Sequence, residues 1–568
     1  MKRSNPTAYT LSQKIVSLFN RCFGGFFAVL CVLILTAGFV IYAVNDEIKK
    51  VKDKLTFGDM ILRYLVLLLG AVIVCAAMVA LYRFLHSDRF ARLDDRRFAT
   101  TVILVGVGII LAIQLVCAFL LQMEPKTDVM QVETYARHIA AEGSFSFVTS
   151  DFDNYYIIRY QNNVPYMLIL SLVYRIEYLL TGSFSRVPMI ILSTLSLNLS
   201  ILLTVMTSRK LFGNRKAVFT LILCALFSPF FTYTPYFYTD SLSIPFATGC
   251  VFTFVSAVQC DGKKKKAVLF PLSGALCCIG FLIKGSVAIL LPAALIWLLL
   301  RNGLKNAAKQ GIALILGFAV LFGAYSAVIK SINLIPEEMS RRYQFPLTHW
   351  AMVGTNDLGA FSPEDRKYTL AYPSKEEKVQ ANLDKIGERL SEKGFFGTVL
   401  HLGIKAVWTW QDGTYYIANY LENYYRYTPL HSLILYDGDL RLFYYAICCG
   451  FQLFLLLMMA YGGIAARKSR EIAITTFLRI AVIGLALFLL IWETNARYLF
   501  NFTPLFLLLA TESIDGFSRK VSSLIRKRKV SRQPIQTDNL YFTAKSAFEN
   551  ESAFIFSLFL RNKFLPNC

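Results

Sequence analysis

Cysteine pairs at CxxC spacing are missing from this chain, as is any Cys/His grouping at metal-ligand spacing, and both absences exclude the common zinc sites. None of the 12 cysteines falls in a loop that the topology below places outside. They sit in or beside apolar runs (Cys31, Cys75, Cys117, Cys224, Cys250, Cys277, Cys278, Cys448, Cys449) or in segments placed inside (Cys22, Cys260, Cys568). No disulfide framework is therefore implied. A small-residue cleavage site is missing after the first apolar run, which is also too long for a signal-peptide core, so that run counts as a real span. Internal repeats of the kind found in two-fold pseudosymmetric transporters are absent as well.

What is present is apolar length. The chain has 568 residues, 55% of them hydrophobic, with a mean hydropathy of +0.49 and repeated apolar runs of about 20 residues, enough to cross a bilayer as helices. A soluble protein is excluded. The net charge of +22 comes largely from short Lys/Arg clusters between apolar runs, the positive-inside pattern, so the basic balance is not a nucleic-acid signal.

The basic clusters set the topology. Lys2, Arg3, Lys14 and Arg21 place the first 22 residues inside, ahead of a span at 23–44 and an outer loop at 45–59. A span at 60–82 returns to the Arg-rich loop 83–98, and a span at 100–121 delivers a polar, acid- and aromatic-rich segment, 122–163, to the outside. If both following runs, 164–181 and 187–207, crossed, the basic stretch 208–216 would lie on the wrong face. Arg175 and Glu177 near the middle of the first run are costly at mid-bilayer, so 164–181 is expected in the outer interface, with Tyr166, Tyr174 and Tyr178 as anchors. Later basic clusters then fall inside: Lys263 to Lys266, Arg301 with Lys305 and Lys309, Arg467 with Lys468 and Arg470, and the tail from Arg519. Further spans follow at 217–236, 241–259, 267–283, 285–300, 311–330, 441–461, 473–492 and 498–515. The expectation is an all-α polytopic bundle of about twelve spans with both termini cytoplasmic. It divides into two extra N-terminal helices (1–99), a membrane core (100–330) with an outer catalytic loop (122–186), an exterior region (331–440), C-terminal helices (441–515) and a basic tail (516–568). Within 331–440 a helix is expected over 374–393 and an interfacial aromatic segment over 405–427. The tail holds an apolar patch, 553–560, too short to span.

Charged residues at the outer ends of spans form a small set: Asp128, Asp240 in YFYTDSLSIP, Lys284 in GFLIKGSVAILLP, and Glu493 with Arg497 in ETNARYLFNFTPLF. A single such residue reads as a solvated terminus or a snorkelling anchor. Together, carboxylates and cations beside the bilayer suit a lipid-borne phosphate and a hydroxyl to be deprotonated. Asp128 is the candidate general base, with Asp240 as a second catalytic carboxylate. Lys284, Arg497 and Arg159 are candidates for a leaving phosphate, and Glu493, Tyr498 and His349 for substrate contacts.

Here the residues resemble a family, the GT-C fold membrane glycosyltransferases, in the branch of protein O-mannosyltransferases and of the aminoarabinose transferases that modify lipid A. The resemblance runs from about Val102 to Ala510. It is carried by Asp128 followed by Tyr135 and Ala136, by VPYMLILSLVYRIEYLLTGSFSRVPMIILS and LFGNRKA, by YTD at Asp240, by Lys284 and Gly285 before an apolar helix with Pro292, and by Glu493, Arg497, Tyr498 and Pro504. THWAMVGTNDLGAFSPED and TWQDGTY also look like segments of uncharacterised bacterial members. The chain departs from the pattern where an acid often follows the first-loop Asp: Val129 stands there, which moves a paired-carboxylate role to Asp240 or Glu133. Two spans precede the family's first. The large loop region replaces or reshapes the soluble domain that some members place at the C-terminus.

The resemblance implies sugar transfer with inversion from a polyprenyl-phosphate donor to a hydroxyl acceptor, a glycan, lipid or protein, at the outer face of the cell membrane. Membrane lipids are the other partner, and no nucleic acid is expected. Asp151 and Asp153 form an Asp-x-Asp that could hold a divalent metal or be a plain acidic loop; no metal ligand is assigned. Tyr155, Tyr156 and Tyr160 could stack on sugar rings or anchor the interface. Two other classes compete. A polysaccharide polymerase or ligase shares the lipid-linked donor, and a transporter or flippase fits the span number but needs ionisable residues at mid-bilayer, which are few here.

Overall fold

A computed structural model describes residues 10–38, 57–469 and 471–530. Most of the expected outer loop 45–59, the first nine residues and the tail beyond 530 with its patch 553–560 lie outside them. Two compact units divide the chain, Met1–Asp515 and Gly516–Cys568. Among the described residues there is no strand, only an isolated bridge between Met123 and Tyr424.

The chain enters α1 (Leu11–Leu33) through a capping box in which Thr10 and Gln13 satisfy each other's backbone N–H. Next come α2 (Phe57–Leu85) and α3 (Arg96–Leu120), the latter started by the Asp95 carboxylate accepting from Phe98 N. Both present rows of exposed Leu, Val and Ile, as a lipid-facing surface does. The polar segment forms α4 (Thr127–Glu142), and then follow α5 (Val164–Thr181), α6 (Val187–Phe212) and α7 (Asn214–Leu226). The centre is α8 (Thr239–Gln259), 83% of whose apolar window is buried. It packs between α6 and α9 (Lys263–Ile283), and α9 packs on α10 (Leu290–Ser331). After the region that follows α10 come α12 (Arg441–Ala466), α13 (Thr475–Ile491) and α14 (Thr503–Val530), with α12 against α1 and α2.

Nine helices among the described residues are long and apolar enough to cross a membrane. The shortfall from about twelve has local causes. The expected spans 285–300 and 311–330 lie in one helical stretch, Gly285–Ser331, bent where Gly303 takes φ 70°. The expected span 217–236 ends early at Leu226; Pro229 opens a single turn and the chain runs irregularly to Tyr238. α13 is only 17 residues long, and α14 begins after a 3-10 turn, Ala496–Phe502. α5 is long and apolar enough to count among the nine. Its two charges are not isolated: Arg175 donates to Ala140 O (2.7 Å), at the end of α4, and Glu177 accepts from Ser185 N (3.1 Å).

Between α10 and α12 the chain folds as short helices around α11 (Lys375–Gln411), which starts at a Ser374/Glu377 capping box and bends at Gly394 (φ 59°). The aromatic segment expected in the interface, 405–427, is instead buried over most of its length. Trp410 packs on Phe27 of α1 and Phe506 of α14, with ring centroids 5.4 Å away in both cases. The exposed apolar residues of α11 lie earlier, at Phe395 (76% exposed) and Phe396 (85%). Aromatic side chains suit an interface and a protein core alike, and packing decided between them.

Close backbone contact fixes the α9–α10 pair. A Cβ on Gly274 would lie 1.9 Å from Leu314 O, and one on Gly317 would lie 1.9 Å from Pro271 O, the small-residue crossing that membrane helices use where lipid leaves no hydrophobic gain from association. Replacing Gly317 by Leu should force the helices apart and cost about 1–3 kcal/mol, read as a lower midpoint of thermal unfolding in detergent. An exposed control, Gly323→Leu, has open space around it and should leave the midpoint in place.

Candidate active site

The first turn of α8 carries Asp240, where a carboxylate also meets the positive end of the helix dipole. Its side chain is fully buried, so it requires compensation. Two cations supply it. Lys284, the residue that ends α9 in extended conformation, bonds Asp240 Oδ1, and Arg497 Nε lies 3.4 Å from Oδ2. Arg497 sits in the 3-10 turn before α14, with Asn495 Oδ1 accepting from its backbone N–H (2.9 Å).

Around this ion cluster lies an aromatic shell. The Arg497 guanidinium donates to the Tyr236 hydroxyl (2.6 Å) and stands 5.1, 5.0 and 5.6 Å from the ring centroids of Tyr238, Tyr420 and Tyr498. Lys284 Nζ is 4.8 Å from the Tyr498 ring. Such rings attract a cation and exclude water from it. Tyr498 donates to Glu493 (2.7 Å). Burial pushes the Glu493 carboxyl up from its ordinary range, and the negative Asp128 adds to the shift while Tyr498 opposes it.

Asp128, in the first turn of α4, is half-buried and joins the cluster through a chain of polar contacts. Tyr156 donates to Asp128 Oδ1 (2.8 Å), Asn163 Nδ2 donates to the Tyr156 hydroxyl (3.0 Å), and Tyr238 donates to Asn163 Oδ1 (3.4 Å). The loop before Tyr156 is strained: Asp153, Asn154 and Tyr155 all take positive φ, at 42°, 55° and 59°. Consecutive non-glycine residues in that region persist only when their surroundings hold them, and Tyr155 is held by stacking on Tyr343 (4.2 Å).

Beside the ion cluster runs an apolar groove of about 430 Å³. Leu242 and Ile283, close in sequence to Asp240 and Lys284, line it together with Leu203, Phe252 and Leu276 from α6, α8 and α9.

The structure thus brings Asp128, Asp240, Lys284, Glu493, Arg497 and Tyr498 together. Other expected site residues lie elsewhere or are differently occupied. Arg159 is 2% exposed and donates to Asp153 O (2.6 Å), so it braces the strained loop, while its buried Nε makes no hydrogen bond. His349 is a core residue, bonded to Thr369 (2.8 Å) and tilted against the Phe345 ring; burial lowers its pKa to about 4 and keeps the ring neutral. Asp240 is enclosed by its two cations, a geometry that suits a counter-ion and not an open catalytic carboxylate. Glu133, the other alternative for a paired carboxylate, is taken by Arg137 (2.5 Å), Arg186 (3.0 Å) and Tyr174 (3.0 Å). Asp151 and Asp153 gather no third ligand: no group of three or more His, Cys, Asp or Glu among the described residues could hold a metal.

Tyr236, Tyr238, Tyr420 and Asn163 escaped the sequence reading. The only signal was local tyrosine density, in YTPYFYTD and ANYLENYY, which interfacial anchoring explains equally well.

No curated protein matches the chain significantly. Among solved structures it is similar to ArnT from Cupriavidus metallidurans bound to undecaprenyl phosphate, at 16% identity over 78% of this chain and 82% of that one with a TM-score of 0.32. The apo state of the same protein matches at 16% identity over 73% and 78%, with a TM-score of 0.33. The model of one family, described as conserved hypothetical integral membrane protein, matches residues 15–517. The matched span covers about nine-tenths of the chain, from α1 into α14, and the chain belongs to this family of integral membrane proteins.

Proposed function

We propose that the chain is an inverting glycosyltransferase that moves a sugar from a polyprenyl-phosphate donor to a hydroxyl acceptor at the outer face of the membrane. The carrying observation is the convergence of Lys284 and Arg497 on one buried carboxylate at the edge of an apolar groove. Two cations and one carboxylate leave a net positive charge where a phosphate would sit, while the groove suits the isoprenoid chain. Arg497 Nε and Asp240 Oδ2 face each other at 3.4 Å without a hydrogen bond, so charge attraction alone joins them.

In this reading the donor phosphate takes Lys284 Nζ as a point charge and the Arg497 guanidinium as a planar fork. Asp240 orients both cations. Asp128 accepts the proton of the acceptor hydroxyl as its oxygen forms a bond to the anomeric carbon. The bond from that carbon to the phosphate oxygen breaks on the opposite face, and the electron pair leaves with the polyprenyl phosphate, whose growing charge the two cations stabilise. Glu493, pushed toward its neutral form, meets the donor sugar's hydroxyls together with Tyr498.

Lys284→Ala should weaken binding of a short-chain polyprenyl phosphate by about 1.5–3 kcal/mol and also destabilise the protein, because it leaves a buried charge with a single partner. Adding Asp240→Asn should recover the unfolding midpoint without recovering binding. Equal affinity in the native and double-variant proteins would remove Lys284 from the phosphate site.

Asp128→Asn retains an acceptor for the Tyr156 hydroxyl but cannot take a proton. It should slow transfer of labelled sugar to membrane extracts by about 10²- to 10⁴-fold, with donor binding unchanged. A near-native rate would put the base elsewhere.

A third expectation concerns pH. The raised folded-state pKa of Glu493 means that ionising it opposes folding: its favourable contribution is complete at low pH and is lost as pH rises through the raised value. Glu493→Gln should match the native unfolding midpoint in acid, exceed it by a growing margin as pH rises from the ordinary glutamate value to the raised one, and keep a constant margin above that. A pH-independent difference between the two curves would contradict the shift.

A further inference from the structure

A cavity of about 800 Å³ lies beside the ion cluster, walled by the 356–365 segment, by α11 and the chain after it, and by Asn495 and Ala496. Its volume falls in the roughly 300–1,000 Å³ range of small-molecule sites. It adjoins the candidate active site at two points. Ala496 precedes Arg497, and the lining residue Glu422 pairs at 2.9 Å with Lys126, which begins the helix carrying Asp128.

The lining has a particular chemistry. Trp408 and Tyr416 supply aromatic surface, Asn356, Gln411, Asn419 and Asn495 supply planar amides, and six carboxylates face only two cations. Gln411 is 4% exposed and its Oε1 turns away toward Gly38, so it closes the cavity wall on the side of the first helix. The acidic balance repels a phosphate-bearing group, so the lipid donor's head does not belong here. An uncharged or amine-bearing polyol fits: its C–H faces stack on the rings, and its hydroxyls both donate and accept, meeting amides and carboxylates at once.

We infer that this cavity holds the acceptor, a neutral or amino-bearing saccharide. The inference rests on the glycosyltransferase reading and names its acceptor class. The segments NDLGAFSPED and TWQDGTY, which had no role in the donor chemistry, form its walls. The saccharide hydroxyl to be glycosylated points from the cavity past Ala496 and Glu422 toward Asp128.

The test measures binding to the full-length protein in nanodiscs. The probes are fluorescently labelled trisaccharides of hexose, of N-acetylhexosamine and of hexosamine, with a lysine-rich peptide and a short-chain polyprenyl phosphate in parallel. At least one trisaccharide should bind, and Trp408→Leu and Gln411→Leu should each weaken it at least tenfold. Polyprenyl phosphate affinity should stay at the native value in both, which also certifies their folding. Lys284→Ala should show the reverse pattern. No trisaccharide binding, or binding indifferent to both cavity substitutions, would overturn the inference, as would Trp408-dependent binding of the peptide alone. Failure of the native protein to bind polyprenyl phosphate, with trisaccharide binding as expected, would instead sink the transferase reading and leave a saccharide site.

Discussion

A carboxylate with no exposure in an apolar bundle is the constraint on which the rest depends. Asp240 has no water, so its charge exists only because Lys284 and Arg497 reach it from separate elements. That requirement ties together the start of α8, the end of α9 and the turn before α14. Breaking either of the two contacts would leave a buried cation uncompensated. The cluster therefore organises the bundle and presents an unspent positive charge at the same place.

A second buried cation performs a similar task for the region between α10 and α12. Lys405 of α11 is fully buried and donates to Gly354 O (2.8 Å), Leu490 O (3.0 Å) and Trp492 O (2.6 Å), and burial lowers its pKa to about 8. Leu490 is among the last residues of α13, whose carbonyls have no partner within the helix. The ammonium supplies one, and the short helices of this region are thereby fastened beside Glu493. Glu493 N in turn donates to Trp350 O (2.9 Å). This fastening also holds the walls of the 800 Å³ cavity, the 356–365 segment and the end of α11, against the turn that carries Arg497.

Much of this was legible in the residues. Apolar runs announced the helices, and charge at span ends singled out Asp128, Asp240, Lys284, Glu493 and Arg497, because a charge is too costly in hydrocarbon to sit there by chance of composition. His349 and Arg159 misled for a related reason: in a polar loop a cation or imidazole carries no such cost, so sequence cannot separate an exposed candidate from one spent inside a fold. Tyrosines were equally ambiguous, since the same side chain anchors an interface or encloses a guanidinium.

By itself, then, the sequence determined an all-α membrane protein and singled out the charged residues at the ends of its apolar runs, both consequences of hydropathy and of the cost of burying charge. Only the tertiary structure decided that Asp240 is a counter-ion, that Arg186 reaches Glu133, and that most of the 405–427 aromatic stretch turns inward. The physical reason is that pairing depends on which helix ends meet. Those meetings are set by contacts such as Gly274 against the α10 backbone, between residues far apart in the chain, which no local pattern records.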